Sequence, residues 1–269
     1  MAQLYYQKLG QGHPLIILHG LYGSGDNWLS IARNLAGICE VYLPDQRNHG
    51  RSPHLATHDY PSLAYDLKEF VDRMELRNAI LLGHSMGGKT AMWFATEYPG
   101  IVSKLIVVDV SPASYSFNSS APAHYSVHQE IISALQSVDL LQIKNMGEAD
   151  RLLQPLLPEK RLRQFLLKNL VKNEYGVYHW RLNLKVLKQY IPQLAEGLPP
   201  ETLAHGSFRQ FPLLLIRGSN SDYVGKKDLQ VFHSLFPLSQ IVTIKNGSHW
   251  LHAEFPDRFT RIVRKFILG

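Results

Sequence analysis

The chain has 269 residues, of which 45% are hydrophobic and 19% are charged, a composition typical of a soluble globular protein whose core forms one domain with an insertion. The single cysteine, Cys39, excludes a disulfide framework. Neither a basic leader followed by an apolar segment nor a long apolar run is present. We therefore expect a cytoplasmic protein without a membrane span. The net charge of +6 is moderate and lacks the aromatic and basic alternation of a nucleic-acid-binding module, so we expect a solvated basic face and no nucleic-acid partner.

The N-terminal part of the chain alternates predicted strands and helices. Apolar patterns indicate an edge strand over residues 4–9, a buried strand over 14–18, a helix over 26–36 and a buried strand around Cys39. A His-Gly loop, residues 19–23, directly follows the first buried strand. Such a loop can turn a backbone N–H, here that of Leu21, toward the oxygen of a carbonyl group, although by itself it is equally consistent with a tight turn.

A charged, turn-rich segment follows at residues 44–53. Asp45 and His49 within it could form an acid–base pair, but the Pro, Asn and Gly residues around them give the segment turn chemistry. Arg47 and Arg51 also offer the Asp45 carboxylate an ion-pair partner. We therefore expect Asp45 to brace the structure rather than to take part in catalysis.

The central motif is an apolar strand over residues 79–84 that runs into a Gly-x-Ser-x-Gly turn, after an amphipathic helix over residues 60–76. A serine hydroxyl is a poor nucleophile, so it must be held clear of the backbone where a base can reach it, and a sharp strand-to-helix turn does this. Ser85 is therefore the predicted nucleophile. Gly83 and Gly87 fit the turn because larger side chains would clash where these two residues approach each other.

The same stretch also fits the formula of a phosphate-binding loop. Gly83, Gly88, Lys89 and Thr90 satisfy that formula, and residues 105–109 could form the metal-holding strand of a nucleotidase. The two interpretations differ in where the helix begins. It begins near Lys89 in a phosphate loop, and directly after the serine in a nucleophile elbow.

The second half of the chain contains the remaining strands, separated by an insertion. Strands are predicted over residues 104–109, 212–218 and 240–244, and a final amphipathic helix over 254–268. The intervening chain has helical segments at 129–138, 158–171 and 184–191 and no strand of comparable strength. Such an insertion would lie over the carboxyl ends of the strands, where open α/β sheets place their sites. We therefore predict a helical cap, residues 113–211, on a core formed by residues 1–112 and 212–269.

Four motifs together resemble the α/β-hydrolase superfamily. They are residues 19–23, 45–52, 83–89 and 247–250, and within the superfamily they are most similar to the small bacterial acyl esterases of the YbfF type. The resemblance implies a mostly parallel central sheet flanked by helices, with an α-helical cap inserted before the penultimate strand. It also supplies another origin for the phosphate-loop match, because Gly88 and Lys89 belong to the helix after the nucleophile in that family.

The general base must come from the 13 histidines. His249 is the predicted base because it lies in a loop directly after the last strand, and hydrolases of this fold carry nucleophile, acid and histidine in that order. His252 is expected to be a packed or half-exposed neighbour. His19 and His84 border the site, where we expect them to shape the pocket.

Two residues are candidates for the acid. Many α/β-hydrolases carry it in a Gly-x-x-Asp-x-x-Val pattern after the cap, but the matching position, counted from Gly218, holds Ser221, and Asp222 comes one residue too late. Asp109 ends the strand beside the nucleophile strand and could reach Nδ1 of a histidine above Ser85. Because the esterases that the sequence resembles use the acid of that strand, we predict Asp109, with Asp222 as the alternative.

The predicted reaction is hydrolysis of a small-molecule acyl ester or thioester through an acyl-enzyme, with the oxyanion held by the N–H groups of Leu21 and Met86. We expect no metal and no cofactor, since the sequence shows no cluster at metal-ligand spacing and no cofactor motif beyond the phosphate-loop match. Carbon–carbon bond hydrolysis by the same residues is an alternative function. A nucleotide-binding protein and a catalytically silent binding module are the others.

The cap is expected to select the substrate. A basic face on one of its helices could attract an anionic acyl carrier such as a coenzyme A thioester, although a solvated helix face is the simpler interpretation. The residues of this face are Lys160, Arg161, Arg163, Lys168 and Lys172. The sequence indicates no particular oligomeric state.

Overall fold

A seven-stranded sheet forms the centre of the protein, which a computed structural model describes over residues 2–115, 122–199 and 210–269. The strands of the chain are β1 (Tyr6–Leu9), β2 (His13–Leu18), β3 (Cys39–Pro44), β4 (Ala79–His84), β5 (Val102–Val108), β6 (Leu170–Lys172), β7 (Tyr178–Trp180), β8 (Leu213–Gly218) and β9 (Ser239–Ile244). The large sheet has the order β1-β3-β2-β4-β5-β8-β9, in which β1 is antiparallel to β3 and the other pairs are parallel. The predicted α/β class with a mostly parallel sheet is confirmed.

Helices cover both faces of this sheet. The helices of the described chain are α1 (Leu29–Leu35), α2 (Tyr60–Arg73), α3 (Met86–Glu97), α4 (Pro122–Ser137), α5 (Met146–Leu153), α6 (Lys160–Leu167), α7 (Leu184–Ala195), α8 (Lys226–Leu235), α9 (Leu251–Glu254) and α10 (Pro256–Leu268). Side chains of α2, α3 and α8 enter the apolar core on one face, and those of α1 and α10 enter the core on the other. Within the described part of the chain, no helix has both the length and the apolar character that a membrane span requires. The cytoplasmic location stays a prediction.

Strand β2 shows why the central strands have unbroken apolar sequences. Ile16 and Leu18 belong to the core on one face, whereas Leu15 and Ile17 belong to the core on the other. Successive side chains of a strand point to opposite faces, so a strand covered on both faces needs apolar residues throughout. Because β2, β4 and β5 are parallel neighbours, the loops at their carboxyl ends meet at one edge of the sheet. This edge holds the predicted site.

Between β5 and β8 the chain forms α4 to α7 and a separate hairpin, β6–β7, which pack around an apolar core of their own. The predicted helix over residues 158–171 is wrong in its second part, because α6 ends at Leu167 and β6 begins at Leu170. The hairpin turn explains the difference. Oδ1 of Asn173 accepts from two N–H groups within the turn, and Gly176 has a φ of 76°. The insertion is therefore not all-helical. Residues 116–121 and 200–209 of the predicted cap lie outside the described residues.

Helix α8 was also absent from the sequence prediction. Strands β8 and β9 are parallel neighbours, and a parallel pair needs a crossover connection, which α8 supplies. The helix is held to the core by Phe232, which is fully buried. Its N terminus is closed by a hydrogen bond of 2.8 Å from the Gly225 N–H to Oδ2 of Asp228. The segment could therefore have been inferred from topology, although its short apolar pattern did not predict it.

Candidate active site

The turn between β4 and α3 consists of one residue, Ser85. Strand β4 ends at His84, α3 begins at Met86, and Ser85 between them has a φ of 53° and a ψ of −121°. An L-amino acid rarely adopts these angles, so the turn is strained. The predicted role of Gly83 is confirmed, because a Cβ atom on it would lie 2.2 Å from the Gly87 carbonyl oxygen, whereas a Cβ atom on Gly87 would instead lie 2.4 Å from the Leu18 carbonyl oxygen at the end of β2. The geometry is that of a nucleophile elbow.

The phosphate-loop interpretation is wrong. Helix α3 begins directly after the serine and not near Lys89, so no wide loop is available to surround an anion. Lys89 itself is buried, donates through Nζ to the carbonyl oxygen of Glu196, and lies 4.4 Å from the centre of the Tyr115 ring. Burial lowers the pKa of Lys89 to about 7. Its ammonium group therefore serves the contact between α3 and the end of α7.

His249 lies in the loop between β9 and α9, and its Nδ1 is 2.8 Å from Oδ2 of Asp109. An ionised carboxylate can only accept hydrogen bonds, so Nδ1 of the imidazole is the donor. The neutral ring then carries its lone pair on Nε2. This is the tautomer that a general base needs. His249 and Ser85 line the same cavity, which has a volume of about 630 Å³.

Asp109 is fully buried and has a φ of 51°. Its Oδ1 accepts from the Gly218 N–H at 3.0 Å, and its Oδ2 accepts from the hydroxyl of Ser221 as well as from His249. Ser221 thus occupies the sequence position of the usual acid and donates to the carboxylate of Asp109, which follows β5. Asp222 is exposed to solvent. The structure brings Asp109 to His249, and does not bring the alternative acid, Asp222, there.

The His-Gly loop lies against Ser85, because a Cβ atom on Gly20 would be 3.2 Å from Cβ of that residue. The next amides have internal partners: the Tyr22 N–H donates to His49 Nε2, and the Gly23 N–H donates to the Gly20 carbonyl. Among the described residues, no acceptor is found for the Leu21 N–H. Met86 is the first residue of α3, where an N–H has no partner within the helix. Both amides are therefore available beside Ser85.

Two histidines brace this loop in fixed tautomers. His19 accepts from the Gln46 N–H through Nε2 and is 2.9 Å from the Gly20 carbonyl oxygen through Nδ1, which is therefore the donor. His49 accepts from the Tyr22 N–H through Nε2, and its Nδ1 is 3.0 Å from the Arg47 carbonyl oxygen. Burial lowers the pKa of both imidazoles, which keeps them neutral. Their contacts hold the loop in place.

Asp45 accepts from the N–H groups of Gly25 at 2.7 Å and Arg51 at 2.8 Å, so it braces two turns as expected. The predicted ion pairs of Asp45 are wrong. The Arg47 guanidinium binds Asp66 instead, with Nη2 2.6 Å from Oδ1, and the Arg51 guanidinium lies 3.2 Å from Asp26. Backbone amides satisfy the Asp45 carboxylate because the tight turn around it points them inward.

Several aromatic and histidine rings pack beside His249 or behind it, and the sequence did not predict most of these contacts. The Tyr223 ring is stacked on the imidazole, and His84 donates through Nε2 to the His249 carbonyl oxygen at 2.9 Å. Behind His84, His252 stacks on Trp28 with ring centres 4.3 Å apart. Burial lowers the pKa of His84 well below its usual range and that of His252 to about 3. The sequence predicted His252 as a packed neighbour, but no pattern marked Tyr223 or Trp28.

Two cavities meet at Ser85, and their linings come from different elements. The large one is lined by residues of α4, α6 and the loop after β9, including Ile131, Phe165 and Trp250. The small one, about 50 Å³, lies toward α3 and the end of α7 and includes Lys89 and Ile191 in its lining. Within the described chain, no group of three or more His, Cys, Asp or Glu side chains is placed to hold a metal ion.

The basic face predicted on the cap is smaller than expected. Arg163 is buried, with Nε 2.7 Å from Oδ1 of Asp150, so it belongs to the interior of the insertion. Arg161 and Lys168 line the large cavity, and the Arg161 guanidinium lies 3.1 Å from Glu254. The predicted set therefore does not form one basic helix face, because Arg161 of α6 is paired with Glu254 of α9 and Lys172 lies on β6.

Residues 13–256 match the family described as the alpha/beta hydrolase fold. The chain is 35% identical over 262 residues to the sn-1-specific diacylglycerol lipase ABHD11 of Xenopus laevis. The matched region covers 95% of this chain and 80% of that relative. It is 32% identical over 261 residues to the esterase YbfF of Escherichia coli (strain K12), and this match covers 97% of this chain and 95% of that relative. The solved structure of a marine microorganism esterase is 42% identical, has a TM-score of 0.92, and covers 99% of this chain and 100% of that chain.

Proposed function

This chain belongs to the α/β-hydrolase family and is a carboxylic ester hydrolase, and we propose that Ser85 is its nucleophile, His249 its base and Asp109 its acid. The observation that carries the proposal is the hydrogen bond of 2.8 Å between His249 Nδ1 and Asp109 Oδ2. It leaves Nε2 of the imidazole available to accept a proton. Further support comes from Ser85, which sits in a strained turn and lines the same cavity as His249.

Acylation begins when Nε2 of His249 removes the proton from Ser85 Oγ while that oxygen attacks the acyl carbonyl carbon. The carbonyl π electrons move to the oxygen as the new C–O bond forms. Asp109 holds the imidazole in its tautomer and stabilises the imidazolium that results. The imidazolium then donates its proton to the leaving alcohol or thiol as the bond between that group and the carbonyl carbon breaks.

The N–H groups of Leu21 and Met86 are the proposed oxyanion hole. Both amides lie beside Ser85 and lack a protein acceptor among the described residues, so they can donate to the oxygen on which negative charge develops. Loss of one side-chain donor from such a hole costs about a hundred- to thousandfold in kcat. The fixed tautomers of His19 and His49 support this role, because they hold the loop that carries Leu21.

Deacylation repeats the same steps with water. His249 removes a proton from a water molecule, whose oxygen attacks the acyl carbon, and the imidazolium returns the proton to Ser85 Oγ as the acyl–oxygen bond breaks. The products are the carboxylic acid and the regenerated enzyme. The large cavity, which His249 lines, gives water a route to the base.

Residues 113–211 are the proposed cap of this site, on a core made of residues 1–112 and 212–269. The Asn169 amide donates to the Tyr22 carbonyl at 2.9 Å, which ties the insertion to the loop of the proposed oxyanion hole. Lys89 makes a second tie, from α3 to the carbonyl oxygen of Glu196. The insertion also lines the large cavity through Ile131 and Phe165. These contacts favour a cap that shapes the substrate pocket.

The proposed substrate is a small-molecule acyl ester or thioester. Carbon–carbon bond hydrolysis would use the same residues, and a silent binding module would bind such a ligand without turnover. The relatives are named an esterase and a diacylglycerol lipase, and these names favour ester hydrolysis over both alternatives.

The test is Ser85→Ala, measured by turnover of a p-nitrophenyl ester and by covalent labelling with a fluorophosphonate. We expect the variant to lose both while its thermal unfolding stays like that of wild type. The matched control is Ser234→Ala, which removes an exposed serine hydroxyl of α8. It is expected to change neither the turnover of the ester nor the labelling. Labelling that persists in Ser85→Ala would contradict the proposal.

A further inference from the structure

We infer that the small cavity beside Ser85 holds the acyl group of the substrate and that the large cavity holds the leaving alcohol or thiol. This inference rests on the proposed function of Ser85 and His249 and adds the substrate class. The enzyme then cleaves esters or thioesters in which a short acyl group, of about two to four carbons, is joined to a bulky alcohol or thiol.

The two cavities differ in which parts of the proposed machinery line them. Ser85 and Leu21 line both. His249 lines the large cavity and is absent from the lining of the small one, whereas Met86 lines the small cavity and is absent from the lining of the large one. The base and the helix amide of the proposed oxyanion hole thus lie on opposite sides of the nucleophile.

This asymmetry orients the substrate. In the tetrahedral intermediate, the carbonyl carbon carries Ser85 Oγ, the oxyanion, the leaving group and the acyl chain. The leaving group must receive a proton from the His249 imidazolium, so it has to lie on the side of the base. That side is the large cavity. The acyl chain points away from the imidazole and enters the small cavity.

The volumes then set the size of each half of the substrate. A cavity needs about 10–15 Å³ for each water-sized group that it holds. The small cavity, about 50 Å³, therefore has space for only a few such groups, which corresponds to a short acyl chain. The large cavity, about 630 Å³, has the size of an ordinary small-molecule site.

Hydrogen bonds hold in place the segment that lines the far end of the small cavity. The end of α7 is held over it by three groups: Lys89 donates to the Glu196 carbonyl, the Tyr60 hydroxyl donates to the Leu194 carbonyl at 2.9 Å, and the Tyr115 N–H donates to the Ala195 carbonyl at 2.8 Å. Tyr60 is buried. A longer acyl chain would have to break these partly buried hydrogen bonds, and a buried polar group is costly to leave without a partner.

The experiment measures kcat/KM for p-nitrophenyl esters of graded acyl length, on wild type and two matched variants. Ile191→Ala enlarges the small cavity, and Ile131→Ala makes the same change in the large one. We expect wild type to prefer acyl chains of two to four carbons and to lose at least about tenfold in kcat/KM at eight carbons. Ile191→Ala is expected to move the optimum to longer chains. Ile131→Ala is expected to leave the acyl optimum in place and to change KM for bulky alcohol portions.

A second variant guards against a folding defect in Ile191→Ala. Ala195→Leu puts a larger side chain into the wall of the small cavity and so reduces its volume, and we expect it to restrict turnover to acetyl esters. A wild-type optimum at eight or more carbons, or an acyl optimum that moves in Ile131→Ala, would overturn the assignment of the cavities. Fluorophosphonate labelling of Ser85 would in that case persist, which separates this failure from failure of the proposed function. If the wild-type protein showed neither ester turnover nor fluorophosphonate labelling, both proposals would be rejected.

Discussion

The ring of Tyr223 lies flat against the imidazole of His249, with ring centres 3.7 Å apart and 15° between the planes. The His84 ring approaches the same imidazole at 4.6 Å, so aromatic contacts limit its rotation. The Asp109 carboxylate restrains only one nitrogen of the imidazole. The orientation of the proposed base therefore depends on stacking as well as on hydrogen bonding.

Replacing Tyr223 by Leu is expected to lower kcat/KM by about threefold to tenfold. The reason is that an aromatic pair contributes about 0.5–1.5 kcal/mol beyond its buried area, and the imidazole would lose that restraint. Tyr223→Phe keeps the stacked ring and is expected to stay within about twofold of wild type. The measurement is kcat/KM with a p-nitrophenyl ester of short acyl length. Equal losses in both variants would assign the effect to the hydroxyl group instead.

Asparagine substitutions at the two candidate acids distinguish them. Asp109→Asn is expected to lower kcat by about 10³- to 10⁴-fold, because an amide can donate to Nδ1 and would then favour the wrong imidazole tautomer. Asp222→Asn makes the same chemical change at an exposed position and is expected to stay within about twofold of wild type. Steady-state kinetics on both variants provides the comparison. A large loss in Asp222→Asn alone would reassign the acid.

The loop of the proposed oxyanion hole is expected to tolerate no side chain at Gly20. A Cβ atom there would lie 2.9 Å from Nδ1 of His84 and 3.2 Å from Cβ of Ser85, so the loop would have to move away from Ser85. We expect Gly20→Ala to lower kcat by at least about tenfold, since misplaced donors stabilise the oxyanion poorly. Gly37→Ala is the control, because nothing lies within 4 Å of its added carbon. Wild-type kcat in Gly20→Ala would show that the loop does not hold the oxyanion.

Stability is expected to fall in acid because of buried neutral histidines. Burial lowers the pKa of His58 and of His252 to about 3, from 6.5 in the unfolded chain. Between these values the unfolded state binds more protons, so the free energy of unfolding decreases as the pH falls from about 6.5 toward 3. Each histidine contributes on the order of 1 kcal/mol per pH unit in this window, and nothing further above it.

Urea unfolding at about pH 7.5 and about pH 5 measures this dependence. His252→Phe keeps a ring on Trp28 but cannot be protonated, so we expect its free energy of unfolding to fall less steeply with acidification than that of wild type. His233→Gln removes an exposed histidine of α8 and is expected to retain the wild-type slope. A slope in His252→Phe equal to that of wild type would contradict the assignment of this pH dependence.

The elements that local patterns predicted correctly are those with strong, continuous signals. The strand before Ser85 and the glycines around it could be read from the sequence, because a sharp strand-to-helix turn permits few other residues. Strand β2 was equally clear, since burial on both faces requires an unbroken apolar run. Helix α8 and the hairpin β6–β7 were missed because each has only a short apolar pattern.

The sequence by itself determined the sheet, the elbow with Ser85 and the loop with His249, since these follow from short-range patterns in the chain. The sequence favoured Asp109 as the partner of His249 and kept Asp222 as the alternative, and only the tertiary structure showed which of them reaches the imidazole. The deciding contact depends on β5 lying beside β8, so that the Gly218 amide and the Ser221 hydroxyl meet the carboxylate of Asp109. The stacked Tyr223 and the two unequal cavities are likewise products of packing between distant segments, for which a linear pattern carries no signal.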